Sequence, residues 1–331
     1  MQVAIIGAGS WGTTVASLAS RNCATTIWAR RSEVADEICR ERSNERYLPG
    51  FRLPANLAAS DDLEEVVRNA DVLVLGVPSH GVREILGELA PFVRPWIPVV
   101  SLTKGLEQGS MRRMTELVDE LLPGHPAGVL TGPNIAREIM SGQAAASVIG
   151  MEDLVVAEVL QTVFAGGLYR VYTNHDVIGC EIAGALKNVI AIAAGIAQAI
   201  SVGDNTRAMV ITRGLSELSR LGVALGGEPA TFAGLAGMGD LLATCMSPHS
   251  RNRLVGERLG RGEKIDAIID DMDMVAEGVK TARVVIDLAR RYSIEMPISE
   301  EMHAVLYEGR EASVAYRGLQ RRKAGHERDS G

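Results

Sequence analysis

An apolar stretch, Val3–Ile6, runs without a break into Gly7-Ala8-Gly9-Ser10-Trp11-Gly12 and then into a helical pattern over Gly12–Arg21. Few features constrain a fold as tightly as strand, G-x-G-x-x-G and helix in that order. Gly7 permits a tight turn, Gly9 lets the backbone come close to a ligand, and Gly12 lets the helix lie against its strand. The helix start offers unpaired N–H groups and a positive dipole end, so Ser10 and Trp11 stand where an anion docks. This pattern predicts a unit that takes the pyrophosphate of a dinucleotide. The bland alternative is a glycine turn with no ligand, which a lone G-x-G-x-x-G would not exclude.

Further strand candidates are Thr25–Trp28, Asp71–Val77, Val99–Leu102, Gly128–Thr131, Ala146–Ile149 and Leu168–Tyr172, with helical patterns at Ser32–Glu41, Leu63–Asn69, Gly81–Leu89 and Met111–Leu122. Continuous apolar strands separated by helices imply a parallel sheet covered on both faces, a doubly wound Rossmann-type α/β domain. The later strands are less regularly spaced, which leaves an antiparallel edge open. After about residue 175 the chain becomes rich in Ala, Leu and Gly at helical spacing, at Val177–Ile200, Asn205–Leu221, Arg251–Leu259, Val279–Arg291 and Ser299–Tyr307, with a short turn at Pro229–Phe232. Thr173-Asn174-His175-Asp176 reads as turn and N-cap chemistry. The expectation is a dinucleotide-binding domain over 1–175 and an all-helical substrate-binding and catalytic domain over 176–331, its polar tail after about 319 mobile. A length of 331 residues, 47% of them hydrophobic, suits two such cores.

A net charge of −7 argues against nucleic acid or an anionic membrane as a general partner, so a phosphate grip must come from local basic clusters. Cys23, Cys39, Cys180 and Cys245 have no C-x-x-C or disulfide-like spacing, which suits a reducing cytoplasm. With Met1 leading directly into the first strand, no signal peptide is expected. The histidines form no H-x-x-x-H pair, and no metal is expected. The greasiest run, Val189–Ile200, is too short to span a bilayer and reads as a buried helix.

An acidic residue about 20 positions past the glycine loop would suit NAD; here the second strand ends in Arg30 and Arg31, whose guanidinium groups suit the 2′-phosphate of NADPH. Glu33 keeps NADH open, and two solvated arginines are the plain reading. Ligands of open α/β sheets lie beyond the strands' carboxyl ends. There the chain carries Val77-Pro78-Ser79-His80, where a proline could wall a nicotinamide or simply start a helix. It also carries Thr103-Lys104-Gly105, with an ammonium for an anion, and Gly132-Pro133-Asn134, whose amide could cap a helix or donate to a ligand. In Val177–Ile200 the only charged side chains are Glu181 and Lys187, too far apart to pair along one helix face. Such a lysine either snorkels to water or is kept for proton transfer, since burial lowers its pKa. Gly237-Met238-Gly239-Asp240 supplies an acid in an apolar setting. Ser250 reads as an N-cap with Arg251 and Asn252 in the first turn, where a cation opposes the dipole unless a phosphate docks there.

These residues together resemble the bacterial-type NAD(P)-dependent glycerol-3-phosphate dehydrogenase family, to roughly residue 310. The likeness rests on GAGSWGT at the start, VPSH at 77–80, TKGLE at 103–107, GPNIARE at 132–138, GALKNVIAI at 184–192, TRGLSELSRLG at 212–222, GMGDL at 237–241 and SRNR at 250–253. The resemblance implies that Ser10, Trp11, Arg30 and Arg31 contact the adenine half of the cofactor and that Lys104 touches cofactor and substrate. It implies Gly132 and Asn134 at the substrate, Ala136 at the cofactor, and Lys187 as the catalytic proton donor and acceptor. Asp240, Ser250, Arg251 and Asn252 would line the glycerol phosphate, with Arg251, Val275 and Glu277 also at the cofactor. Asn134 departs from the family's usual Ser or Thr, a change that keeps a donor. The implied reaction is reversible reduction of dihydroxyacetone phosphate to sn-glycerol 3-phosphate by NADPH or NADH, in a cytoplasmic homodimer that feeds phospholipid synthesis. The rivals are a hydroxyacid or ketopantoate reductase and a non-catalytic cofactor-sensing module.

Overall fold

The computed structural model describes residues 1–272 and 275–320 and divides into two compact units. The first comprises Met1–Thr103 and Arg112–Val177; the second comprises Lys104–Met111 and the chain from Ile178 onward. The segment Lys104–Met111, kept with the first domain in the sequence reading, thus belongs with the second unit. Val275 and Glu277 are described; the charged stretch 321–331 expected to be mobile lies outside the described residues.

The first unit is built on one eight-stranded sheet. Its strands are β1 (Gln2–Ile6), β2 (Ala24–Trp28), β3 (Ala58–Ser60), β4 (Val72–Leu75), β5 (Val99–Ser101), β6 (Ala127–Thr131), β7 (Ala145–Met151) and β8 (Tyr169–Asn174), in the order β3-β2-β1-β4-β5-β6-β7-β8. The first six are mutually parallel, the doubly wound arrangement expected. β7 pairs antiparallel with β6 and parallel with β8, so the last two strands run in reverse. The sequence missed β3, whose Ala-Ala-Ser is short, half-exposed and poor in β-formers.

Successive side chains of a strand point to opposite faces, and both faces here are apolar. From β1, Val3 and Ile5 join one buried cluster, with the helices Ser10–Ala19, Ser32–Arg40 and Leu154–Phe164; Ala4 and Ile6 join the other, with Leu63–Arg68, Val82–Leu89 and Met114–Leu121. β8 ends at Asn174, whose side-chain Oδ1 accepts the Asp176 N–H at 2.9 Å in a short turn before the helix that starts at Val177.

The second unit is helical among its described residues and is organised around the helix Val177–Ala199. At 23 residues that helix is long and apolar enough to cross a bilayer, contrary to the shorter run read from sequence, but 94% of its most apolar window is buried inside the fold. It is a core helix. Asp204–Ala224, Arg251–Gly260, Glu277–Tyr292 and Pro297–Tyr307 pack against it or one another, and a further helix, Ala312–Gln320, ends where the tail was expected to begin.

Candidate active site

In the first unit the glycine turn sits at the carboxyl end of β1. Gly7 has φ +117°, and a Cβ there would lie 2.8 Å from the Gly76 carbonyl oxygen. A Cβ on Gly12 would lie 2.0 Å from the Gly7 oxygen, so only glycine lets the helix Ser10–Ala19 come this close. At Gly9 a Cβ would meet nothing within 4 Å, leaving that side of the backbone open. The N–H groups of Gly9, Ser10, Trp11 and Gly12 have no acceptor among the described residues. An open turn with free donors at a helix start fits a pyrophosphate.

β1 and β2 pair in register, Ile6 beside Trp28, and the Gly7 N–H donates to the Trp28 oxygen at 3.1 Å. The exposed Arg30 and Arg31 therefore emerge at the same edge as the turn. The Val77 loop is tied there by Thr103, whose hydroxyl donates to the Val77 carbonyl at 2.6 Å. Gly132, after β6, has φ +124°, and its Cβ would press on Ser147 Cα at 3.1 Å. Asn134 does not cap the next helix. Ile135 takes that place before Ala136–Met140, while the Asn134 amide donates to Ser147 Oγ at 3.3 Å.

In the second unit Lys187 does not snorkel. It is 5% exposed, and its Nζ donates to Asp240 Oδ1 and Thr244 Oγ1, each at 2.6 Å. Lys104 Nζ donates to the other oxygen of Asp240 at 2.8 Å, so one buried carboxylate holds two ammonium groups. Burial, opposed by Asp240 and reinforced by the nearby Lys187 charge, brings Lys104 down to about 7. With both lysines charged the cluster carries one excess positive charge, which favours an anion or a developing oxyanion.

A π-helical turn, Leu235–Gly239, delivers Asp240 to the start of the helix Asp240–Met246. Gly237 makes that turn, because a Cβ there would lie 2.1 Å from the Phe232 carbonyl. Ser250 caps the helix Arg251–Gly260 as expected, accepting the Arg253 N–H at 3.3 Å. Asn252 turns inward, donating to Asn188 Oδ1 and accepting the Gly278 N–H, each at 2.9 Å. Asn188 donates in turn to the Lys104 carbonyl at 3.0 Å. The exposed Arg251 donates to the Val275 carbonyl at 2.8 Å and feels the charge of Glu277. The second unit thus gathers Lys104, Lys187, Asp240, Ser250, Arg251, Asn252, Val275 and Glu277 into one connected region; Gly132, Asn134 and Ala136 stand in the first unit. The sequence reading left out Asn188, the residue after Lys187, and Thr244, one helical turn past Asp240.

Family models for the N-terminus and the C-terminus of NAD-dependent glycerol-3-phosphate dehydrogenase match residues 2–157 and 176–317. The chain is 56% identical to NAD(P)+ glycerol-3-phosphate dehydrogenase 2 of Sphingopyxis alaskensis over 100% of its own length and 99% of that relative's. It is 53% identical to the Mycobacterium avium enzyme of that kind, over 98% of this chain and 96% of that one. The crystal structure of glycerol-3-phosphate dehydrogenase from Coxiella burnetii matches with a TM-score of 0.93 at 35% identity, covering 97% of this chain and 99% of that one. A ketopantoate reductase from Ralstonia eutropha matches with a TM-score of 0.59 at 18% identity, a likeness of fold alone.

Proposed function

The chain belongs to the NAD-dependent glycerol-3-phosphate dehydrogenase family, and from that premise we propose that it reversibly reduces dihydroxyacetone phosphate to sn-glycerol 3-phosphate. The observation that carries the chemistry is Asp240, one buried carboxylate shared by Lys187 and Lys104. In this reading the first unit is the dinucleotide-binding domain. Gly7, Gly9, Ser10, Trp11 and Gly12 take the pyrophosphate, and Arg30 and Arg31 take the adenosine end with a preference for the 2′-phosphate of NADPH. Bound NADPH or NADH supplies hydride to C2 of the ketone, and the oxidised form takes it back.

Lys187 gives its proton to the C2 oxygen as negative charge grows there. Asp240 and Thr244 hold that amine in place for the transfer. Lys104 adds positive charge beside the same oxygen or the phosphate. Ser250, Arg251 and Asn252, at a helix start, grip the phosphate, so remote binding energy orients C2. Gly132 and Asn134 complete the substrate contacts, with Ala136, Val275 and Glu277 at the cofactor. Family membership supports a cytoplasmic homodimer that supplies glycerophospholipid synthesis.

The test follows NADPH absorbance with dihydroxyacetone phosphate, wild type beside Lys187→Met. Wild type turns over and the variant does not, while NADPH still binds. Turnover in the variant at the wild-type rate removes Lys187 from the proton path.

A further inference from the structure

Asn44 lies outside every motif that pointed to the cofactor, on the stretch between the helix Ser32–Arg40 and β3, yet it is fully buried. Its amide Nδ2 donates to the carbonyl of Ala8, the middle residue of Gly7-Ala8-Gly9, at 2.9 Å and to the Thr13 hydroxyl at 2.9 Å. Its Oδ1 accepts the Tyr47 N–H at 3.3 Å, and its own carbonyl accepts the Leu48 N–H at 2.8 Å. Both amide hydrogens and the amide oxygen are therefore used, and the stretch is locked to the turn from beneath.

The consequence follows from peptide geometry. A trans peptide is planar, with its C=O and N–H on opposite sides. Holding the Ala8 oxygen inward on Asn44 turns the Gly9 N–H the other way, away from Asn44, and that N–H has no acceptor among the described residues. The Gly7 oxygen is likewise turned inward against Gly12. Two carbonyls that would repel a phosphate are turned against the protein, and the donors that would bind one stay unpaired among the described residues. The bond to Thr13 fixes the first turn of the helix in the same frame.

We propose that Asn44 is a positioning residue for the pyrophosphate of the cofactor: it orients the Ala8–Gly9 peptide without touching the ligand. This rests on the cofactor reading above. The test measures Kd for NADPH and for adenosine 2′-monophosphate, which lacks the pyrophosphate, together with thermal melts of the unliganded protein, in wild type, Asn44→Ala and Thr13→Val. Asn44→Ala weakens NADPH about tenfold, as the loss of one well-placed hydrogen bond does, and leaves adenosine 2′-monophosphate unchanged. Thr13→Val, which keeps the bond to Ala8, weakens NADPH less, and it decides the matter should Asn44→Ala not fold. Unchanged NADPH affinity in the variants, or equal losses for both nucleotides, overturns the assignment. Wild-type protein that binds neither nucleotide overturns the cofactor reading and this inference with it, an outcome distinct from a wild type and variants that bind NADPH equally.

Discussion

Lys187 stood out in the sequence because an ammonium in an apolar helix needs a reason, and the structure supplies it in Asp240 and Thr244. Asn188 and Thr244 gave no comparable signal, since a single amide or hydroxyl in a helix is ordinary. The Lys104 pair leads to a prediction about pH. With its pKa near 7, Lys104 loses its charge as pH rises past neutrality, and the cluster then loses its excess positive charge. The KM for the phosphate substrate therefore rises on the alkaline side. Asp240→Asn removes the anion that holds this proton, so the alkaline limb of kcat/KM moves to lower pH; a limb that stays in place refutes the assignment. Arg251→Ala raises KM by roughly 1.5–3 kcal/mol in binding, the usual worth of a hydrogen bond to a charged group, with kcat less affected. Initial rates over a substrate series measure the split. Replacing Arg30 and Arg31 with alanine weakens NADPH more than NADH in titration, and equal losses show that they do not read the 2′-phosphate.

At the scale of elements, the glycines carry the sharpest constraints. Gly12→Ala places a methyl group 2.0 Å from the Gly7 oxygen, an overpacking that costs roughly 1–3 kcal/mol and pries the helix from the turn. Chemical denaturation and NADPH titration should both register it. Gly237→Ala drives a methyl group into the Phe232 carbonyl, disturbs the π-helical turn and moves Asp240; a marked fall in kcat is expected. The strand candidates proposed from sequence are present with ends shifted by a residue or two, because buried parallel strands are written as continuous apolar runs. β3 was lost because three small, partly exposed residues make no run. The π-helical turn was equally hidden, since Leu235–Gly239 is too short and too rich in glycine to carry a period.

For the molecule as a whole, stability carries its own titration. Glu217 is buried, and it accepts the backbone N–H groups of Ile298 and Ser299 at 2.6 and 3.1 Å and the Ser299 hydroxyl at 2.9 Å, joining the helix Asp204–Ala224 to the start of Pro297–Tyr307. Burial, resisted by those hydrogen bonds, pushes its carboxyl up to about 7. A carboxyl raised above its unfolded value of 4.5 favours the fold most at low pH and loses that contribution as pH climbs through about 7. Thermal melts between pH 5 and 8 should show Tm falling with pH more steeply in wild type than in Glu217→Gln, whose amide does not titrate.

The sequence by itself determined the doubly wound half, the glycine turn, the helical second half and the residue types of the chemistry. Those follow from local rules: the period of apolar residues, the glycines that a close approach requires, and the residues that start helices. Only the tertiary structure decided that β7 and β8 run in reverse, that Lys104 packs with the second unit, and that Asp240 joins it to Lys187. It alone placed Asn44 beneath the turn that it holds. Such contacts join residues far apart along the chain, and a one-residue shift in a helix or a turn breaks them while leaving every local pattern intact.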